Sequence, residues 1–222
     1  MKVTNKIQIT NEDNMALMSR YEDNHFDLAI VDPPYGIDEG NNNDFGKKIK
    51  NSATKKTNYN KKDWDKNVPT KEYFEELFRL SKNQIIWGVN NYHYNFTSGR
   101  IFWDKDIPKD FYSSSKGEIA FKSFSKSIDL VKIRWNGMLQ QDMKNKEIRI
   151  HPTQKPVKLY EWLLMKYAKE GDKILDTHLG SGSIALACHN LDYELTACEL
   201  DKEYYDASIK RIKDHISQQR LF

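Results

Sequence analysis

Lys173-Ile174-Leu175-Asp176-Thr177-His178-Leu179-Gly180-Ser181-Gly182-Ser183-Ile184 reads as a short apolar strand, a glycine-bearing turn and the opening of a helix. Glycine lets the backbone bend tightly, and it lets a ligand approach the N–H groups at a helix start. The next apolar run, Tyr193 to Glu199, ends on an acid seventeen residues after Gly182. That is close to the roughly twenty-residue offset at which an acid meets ribose hydroxyls in dinucleotide folds. A plain strand-to-helix connection would use the two glycines but gives no reason for Glu199. The turn departs from G-x-G-x-x-G, so a nicotinamide cofactor is not expected. A nucleoside-bearing ligand fits better.

The same grammar extends outward in both directions. Lys202 to about Ser217 has helical spacing, as do Pro156–Tyr167, Thr70–Leu80 (with Thr70 able to cap it) and Asn14–Arg20. Apolar strands are expected at Ile7–Thr10, Phe26–Val31, Gln84–Gly88, Arg100–Trp103, Gly117–Phe121 and Ile128–Ile133. Strands alternating with helices predict an α/β fold, a mainly parallel twisted sheet covered on both faces. With 222 residues and no linker-like stretch, one domain spanning residues 1–222 is the expectation.

The strand at Phe26–Val31 stops abruptly at Asp32-Pro33-Pro34-Tyr35. Two prolines lack the N–H that an inner strand needs, and they fix Asp32 and Tyr35 at a set separation. The carboxyl end of a strand is where open α/β sheets bind ligands. There the Asp32 carboxylate and the Pro33 carbonyl can accept hydrogen bonds from an amino group, and the Tyr35 ring offers a face for a planar base. Together they suit an aromatic ring bearing an exocyclic amine. A rigid turn with a capping Asp is the simpler alternative.

Composition narrows the classes. Five Trp, 12 Tyr and 10 Phe supply a core despite a hydrophobic fraction of 38%, so wholesale disorder is not expected. No apolar run approaches a membrane helix or a signal peptide, so no membrane partner is expected. Cys188 and Cys198 read as buried small residues rather than ligands, and no metal site is expected. The net charge of +3 is modest, but it is unevenly spread. Between Gly36 and Lys62 seven lysines face three acids, which reads as a mobile basic loop.

Three ordered blocks carry a family resemblance: Asp32-Pro33-Pro34-Tyr35, then His151-Pro152-Thr153-Gln154-Lys155-Pro156, then Asp176 to Ser183. They resemble the amino-group DNA methyltransferases, and their circularly permuted order, with the catalytic tetrapeptide before the glycine motif, resembles the β class. The resemblance implies a Rossmann-like fold, S-adenosylmethionine as cofactor and methyl transfer to adenine N6 in double-stranded DNA. Cytosine N4 is the alternative, although such enzymes more often begin the tetrapeptide with Ser. An RNA base methyltransferase is a weaker one, because its glycine motif normally comes first.

By the same resemblance Asp32, Pro33, Pro34 and Tyr35 are catalytic. Asp176, Thr177, His178, Gly180, Ser181, Gly182 and Ser183 line the cofactor, Glu199 and Leu200 take its ribose and adenine, and Thr153 and Lys155 hold its methionine end. Asp13 is placed at the adenine edge, and Lys47, Lys48, Lys55 and Lys56 are placed on DNA phosphates. Two departures stand out. Thr177 and His178 replace the family's usual Pro-Phe, and the stretch from Asn136 to Ile150 is too short for a separate target-recognition domain. The expected setting is the cytoplasm of a bacterium, the gene being bacterial or phage-borne. A homodimer and an accompanying restriction endonuclease are both compatible with it.

Overall fold

The computed structural model describes residues 2–37, 65–108, 115–136 and 139–219. The basic stretch beyond Ile37, including Lys47, Lys48, Lys55 and Lys56, lies outside them. Ten strands and five α-helices are described in chain order: β1 (Ile7–Asn11), α1 (Asn14–Met18), β2 (Phe26–Val31), α2 (Lys71–Leu80), β3 (Ser81–Trp87), β4 (Gly99–Asp104), β5 (Gly117–Lys122), β6 (Ile128–Lys132), β7 (Trp135–Asn136), β8 (Leu139–Gln140), α3 (Val157–Tyr167), β9 (Lys173–Asp176), α4 (Ser183–Asn190), β10 (Glu194–Glu199) and α5 (Lys202–Gln219).

Eight strands form one sheet in the order β1-β10-β9-β2-β3-β5-β4-β6, and β7 and β8 form a separate small hairpin. From β1 to β3 every neighbouring pair is parallel. β5 is antiparallel to both β3 and β4. It follows β4 in the chain and pairs with it, the arrangement in which an antiparallel neighbour is usual, whereas parallel neighbours need a crossover. β6 then pairs with β4 in parallel.

Both faces of the sheet are covered, so its inner strands read as continuous apolar runs rather than alternating ones. On one side Ile30, Ile85, Trp87, Ile101 and Trp103 pack with Leu159, Leu163, Ile184 and Ile212 from α3, α4 and α5. On the other, Val31, Ile86 and Phe121 meet Leu17, Tyr73, Phe74 and Leu77 from α1 and α2. Each such side chain, fully buried, contributes about 1.5–3 kcal/mol. Thr70 occupies the N-cap position of α2, yet its side chain makes no capping bond to the helix.

β2 and β9 are adjacent and parallel, and the chain leaves them in opposite directions. β2 leads toward β3, and β9 leads toward β10. Where connections diverge in this way, a crevice opens at the carboxyl ends of the strands. Asp32 follows β2 and Asp176 ends β9, so the topology brings together two motifs that are more than 140 residues apart.

Candidate active site

The crevice is a cavity of about 600 Å³, and its walls include Asp32, Pro34, Lys155, Thr177, His178, Gly180, Ser181 and Glu199. Sequence-distant candidates therefore share one space. Asp13, Thr153 and Leu200 line it as well.

At the glycine turn, Gly180 and Gly182 have φ of 53° and 75°, in the left-handed region that favours glycine. Gly182 is the N-cap of α4, and a Cβ there would meet Ile212 at 3.1 Å and Ser208 at 3.3 Å. The Arg211 guanidinium from α5 donates to the Ser181 carbonyl at 2.9 Å and to Ser183 Oγ at 3.0 Å, while Glu147 Oε2 holds it at 2.7 Å. The Glu199 carboxylate is fixed at the cavity wall by two backbone N–H groups, from Gly180 at 2.8 Å and from Asp201 at 2.9 Å.

Asp176 is buried, and that burial pushes its carboxyl up to about 8. His178, where the family pattern has Phe, is pushed down to about 4 by burial. Its Nε2 lies 3.0 Å from Asn14 Nδ2, which can only donate, so the proton of the neutral ring sits on Nδ1. Thr177 Oγ1 is 2.9 Å from that Nδ1 and 2.7 Å from the Tyr73 hydroxyl. A hydrogen-bonded chain thus replaces an apolar wall. Asp13 also acts locally, since its Oδ1 caps α1 by accepting from Met15 N at 2.8 Å and Ala16 N at 3.2 Å.

The tetrapeptide is held from three sides. Asp65 Oδ1 accepts from Tyr35 N at 2.7 Å and from Gly36 N at 3.0 Å. Tyr92 donates its hydroxyl to the Pro33 carbonyl at 2.8 Å. The Tyr35 ring lies against Gly88, and its hydroxyl is 2.7 Å from Asp32 Oδ1 and 3.1 Å from Glu118 Oε2. The Tyr35 ring is partly buried and packs edgewise to Tyr92, with centroids 6.2 Å apart. Polar anchoring of its hydroxyl draws it inward.

Lys155, expected at the cofactor's methionine end, lines the cavity and also reaches the tetrapeptide. Its Nζ is 2.5 Å from Asp32 Oδ2, and the side chain is 2% exposed. Burial raises the Asp32 carboxyl, and Lys155 opposes that rise. Three participants are not singled out by the sequence: Asp65, Tyr92 and Glu118. Glu118 lies near the start of β5 on the face shared with buried Ala120, and its side chain is only 18% exposed.

Comparison with known proteins agrees with this geometry. The profile of the N6/N4 methyltransferase family, described as DNA methylase, matches residues 40–210. That span includes Thr153, Lys155 and the glycine turn and begins just after the tetrapeptide. A type II methyltransferase of Moraxella bovis, M2.MboI, is 30% identical over 87% of this chain and 83% of its own length. M2.DpnII of Streptococcus pneumoniae is 27% identical over 94% of this chain and 90% of its own. Among solved structures, M1.HpyAVI in complex with S-adenosylmethionine superposes with a TM-score of 0.57 at 22% identity, covering 92% of this chain and 99% of that one. The cytosine-N4-specific PvuII DNA methyltransferase gives 0.56 at 13%, covering 97% and 93%. Those two likenesses establish the Rossmann-like methyltransferase fold. With its crevice, glycine turn and proline-locked acid in place, the chain belongs to the N6/N4 family of DNA methylases.

Proposed function

We propose that the chain transfers the methyl group of S-adenosylmethionine to the N6 amino group of an adenine flipped out of duplex DNA. One observation carries this reading: Asp32 lines the same cavity as the Gly180–Ser181 turn and Glu199. An amine acceptor and a nucleoside-sized cradle thus share one enclosed space. The cradle fits the cofactor chemically. Glu199 offers acceptors for ribose hydroxyls, and buried Asp176 offers a carboxyl whose ionised form a cation would favour. When bound, the cofactor supplies an electrophilic methyl group.

The protein's own residues supply the rest. Flipping a base costs a few kcal/mol. An exocyclic amine is a poor nucleophile, because its lone pair is delocalised into the ring. Hydrogen bonds from its N–H groups to Asp32 and to a remaining lone pair of the Pro33 carbonyl favour a pyramidal nitrogen. Positioning then replaces covalent catalysis. The proton leaves a nitrogen made cationic and acidic by transfer, so no strong base is required. Asp rather than Ser at position 32 favours adenine. The type II designation of the relatives supports a restriction–modification setting in the bacterial cytoplasm. Among the described residues no helix is long and apolar enough to cross a membrane.

Asp32→Ala tests the reading. The variant is expected to lose methyl transfer while retaining its fold and most of its cofactor affinity. A single-turnover rate above a tenth of wild type would remove Asp32 from the chemistry.

A further inference from the structure

Asp32, the acceptor assigned to the target amine, is already engaged. Its Oδ2 lies 2.5 Å from Lys155 Nζ and its Oδ1 lies 2.7 Å from the Tyr35 hydroxyl. An incoming amine has to share that carboxylate with the ammonium, and moving the ammonium off Asp32 relieves the crowding. The need sharpens during transfer, because the nitrogen becomes cationic and like charges sharing one carboxylate repel strongly at low dielectric. Lys155 is only 2% exposed at the cavity wall, flanked by the Tyr35 and Trp87 rings with Nζ 5.5 and 5.4 Å from their centroids, and Nζ also donates to the Tyr35 hydroxyl at 3.0 Å. A buried cation left without a carboxylate is strongly destabilising.

A second carboxylate is within reach. Glu118, at the start of β5, has Oε2 3.0 Å from Lys155 Nζ, and its Oε1 is held 2.6 Å from Lys105 Nζ. We propose that Glu118 is a positioning residue that takes Lys155 over from Asp32 as the target amine enters, leaving Asp32 free to accept the amine and to face the charge that develops on it. The inference rests on the reading of Asp32 as the amine acceptor. Asp32, Glu118, Lys105 and Lys155 sum to zero charge, and the handover moves a proton-bearing group without changing that sum. Burial alone would raise the Glu118 carboxyl, but Lys155 and Lys105 outweigh it and hold it at about 2. A carboxylate therefore stands ready throughout the working pH range.

The test is Glu118→Gln, with single-turnover transfer to DNA followed from pH 7 to 9.5. The variant is expected to be at least tenfold slower at pH 7, with cofactor affinity within twofold of wild type. Its log rate should rise with pH with a slope near one, since deprotonating Lys155 becomes the way to release Asp32. Wild type should be flat over that range. Adding Glu118→Gln to Lys155→Met should then change the rate by less than twofold. A Glu118→Gln rate within threefold of wild type, a slow but flat profile, or full additivity with Lys155→Met would overturn the proposal. Should Glu118→Gln fail to fold, Glu118→Asp carries the test, because its shorter side chain draws the carboxylate back from Lys155: a slowed rate that rises with pH supports the handover and a flat profile overturns it. Product analysis of the wild type separates the two failures. Absence of N6-methyladenine sinks the functional reading, whereas its presence beside an unaffected Glu118→Gln sinks only the role of Glu118.

Discussion

The Tyr92 hydroxyl donates to the carbonyl of Pro33 across 2.8 Å, so a residue just after β3 sets the orientation of the tetrapeptide that follows β2. Both partners are buried. Tyr92→Phe removes the donor and leaves a buried carbonyl short of a partner, at a cost of roughly 1–3 kcal/mol. A lower urea midpoint with unchanged slope is the expected sign. Transfer should slow severalfold without loss of cofactor affinity, because the acceptor pair for the amine is less well fixed. An unchanged midpoint and rate would mean that the prolines alone hold the loop.

Gly88 gives a harsher prediction. Its φ is +73°, and a Cβ there would stand 2.1 Å from Cε1 of Tyr35. Gly88→Ala therefore forces the ring out of place. Overpacking costs about 1–3 kcal/mol, and the left-handed backbone adds roughly 1–2 kcal/mol. Denaturant unfolding should show that loss, together with collapse of transfer activity. A variant of wild-type stability would show that the Tyr35 ring has another position open to it.

What can be read from the sequence divides along physical lines. Strands such as Phe26–Val31 and the turn at Gly180–Gly182 announce themselves locally, through apolar runs and residues that only a tight bend needs. The convergence of Asp32 with Glu199 follows from strand order, which alternation of strands and helices restricts. Lys155, Glu118 and Tyr92 are hidden for a different reason. Lys155 reads as a cofactor contact because its motif is contiguous with Thr153, yet its long side chain reaches a carboxylate 123 positions earlier in the chain. Glu118 and Tyr92 belong to segments legible only as periodicity, and pairing across a sheet is not written in either segment. His178 is visible as a departure, but its tautomer depends on Asn14, which no local pattern links to it.

The basic stretch yields a prediction from composition alone. Replacing Lys47, Lys48, Lys55 and Lys56 with Gln removes four of the seven lysines between Gly36 and Lys62. DNA affinity should fall, and its salt dependence should flatten by up to about 0.9 in slope for each phosphate no longer neutralised. Cofactor affinity should hardly change. Fluorescence anisotropy over a salt series measures this, and an unaltered slope would assign the phosphates to other lysines.

The last prediction concerns Asp176, whose carboxyl burial raises to about 8 against 3.8 for an ordinary aspartate. Between about pH 3.8 and 8 the native protein therefore carries a proton there that the unfolded chain has already lost. Stability falls with rising pH wherever the native state binds more protons, at about 1.4 kcal/mol per pH unit for one full proton. His178 acts oppositely. Its value of about 4 lies below the ordinary 6.5, so its contribution is full above 6.5 and is lost as the pH falls toward 4. The two slopes oppose each other between 4 and 6.5, and the Asp176 effect stands alone from 6.5 to 8. Asp176→Asn mimics the protonated form and can still accept from His178 N, as Asp176 Oδ1 does at 2.9 Å. It should approach wild type near pH 4 and exceed it by a margin that grows up to about pH 8. If the cationic S-adenosylmethionine binds beside this carboxyl, as the proposed function has it, binding at pH 7 should release a proton and tighten as the pH rises. Calorimetry in two buffers of different ionisation enthalpy reads that proton. Identical heats in both buffers, or parallel stability profiles for wild type and Asp176→Asn, would mean that Asp176 is ionised in the native protein.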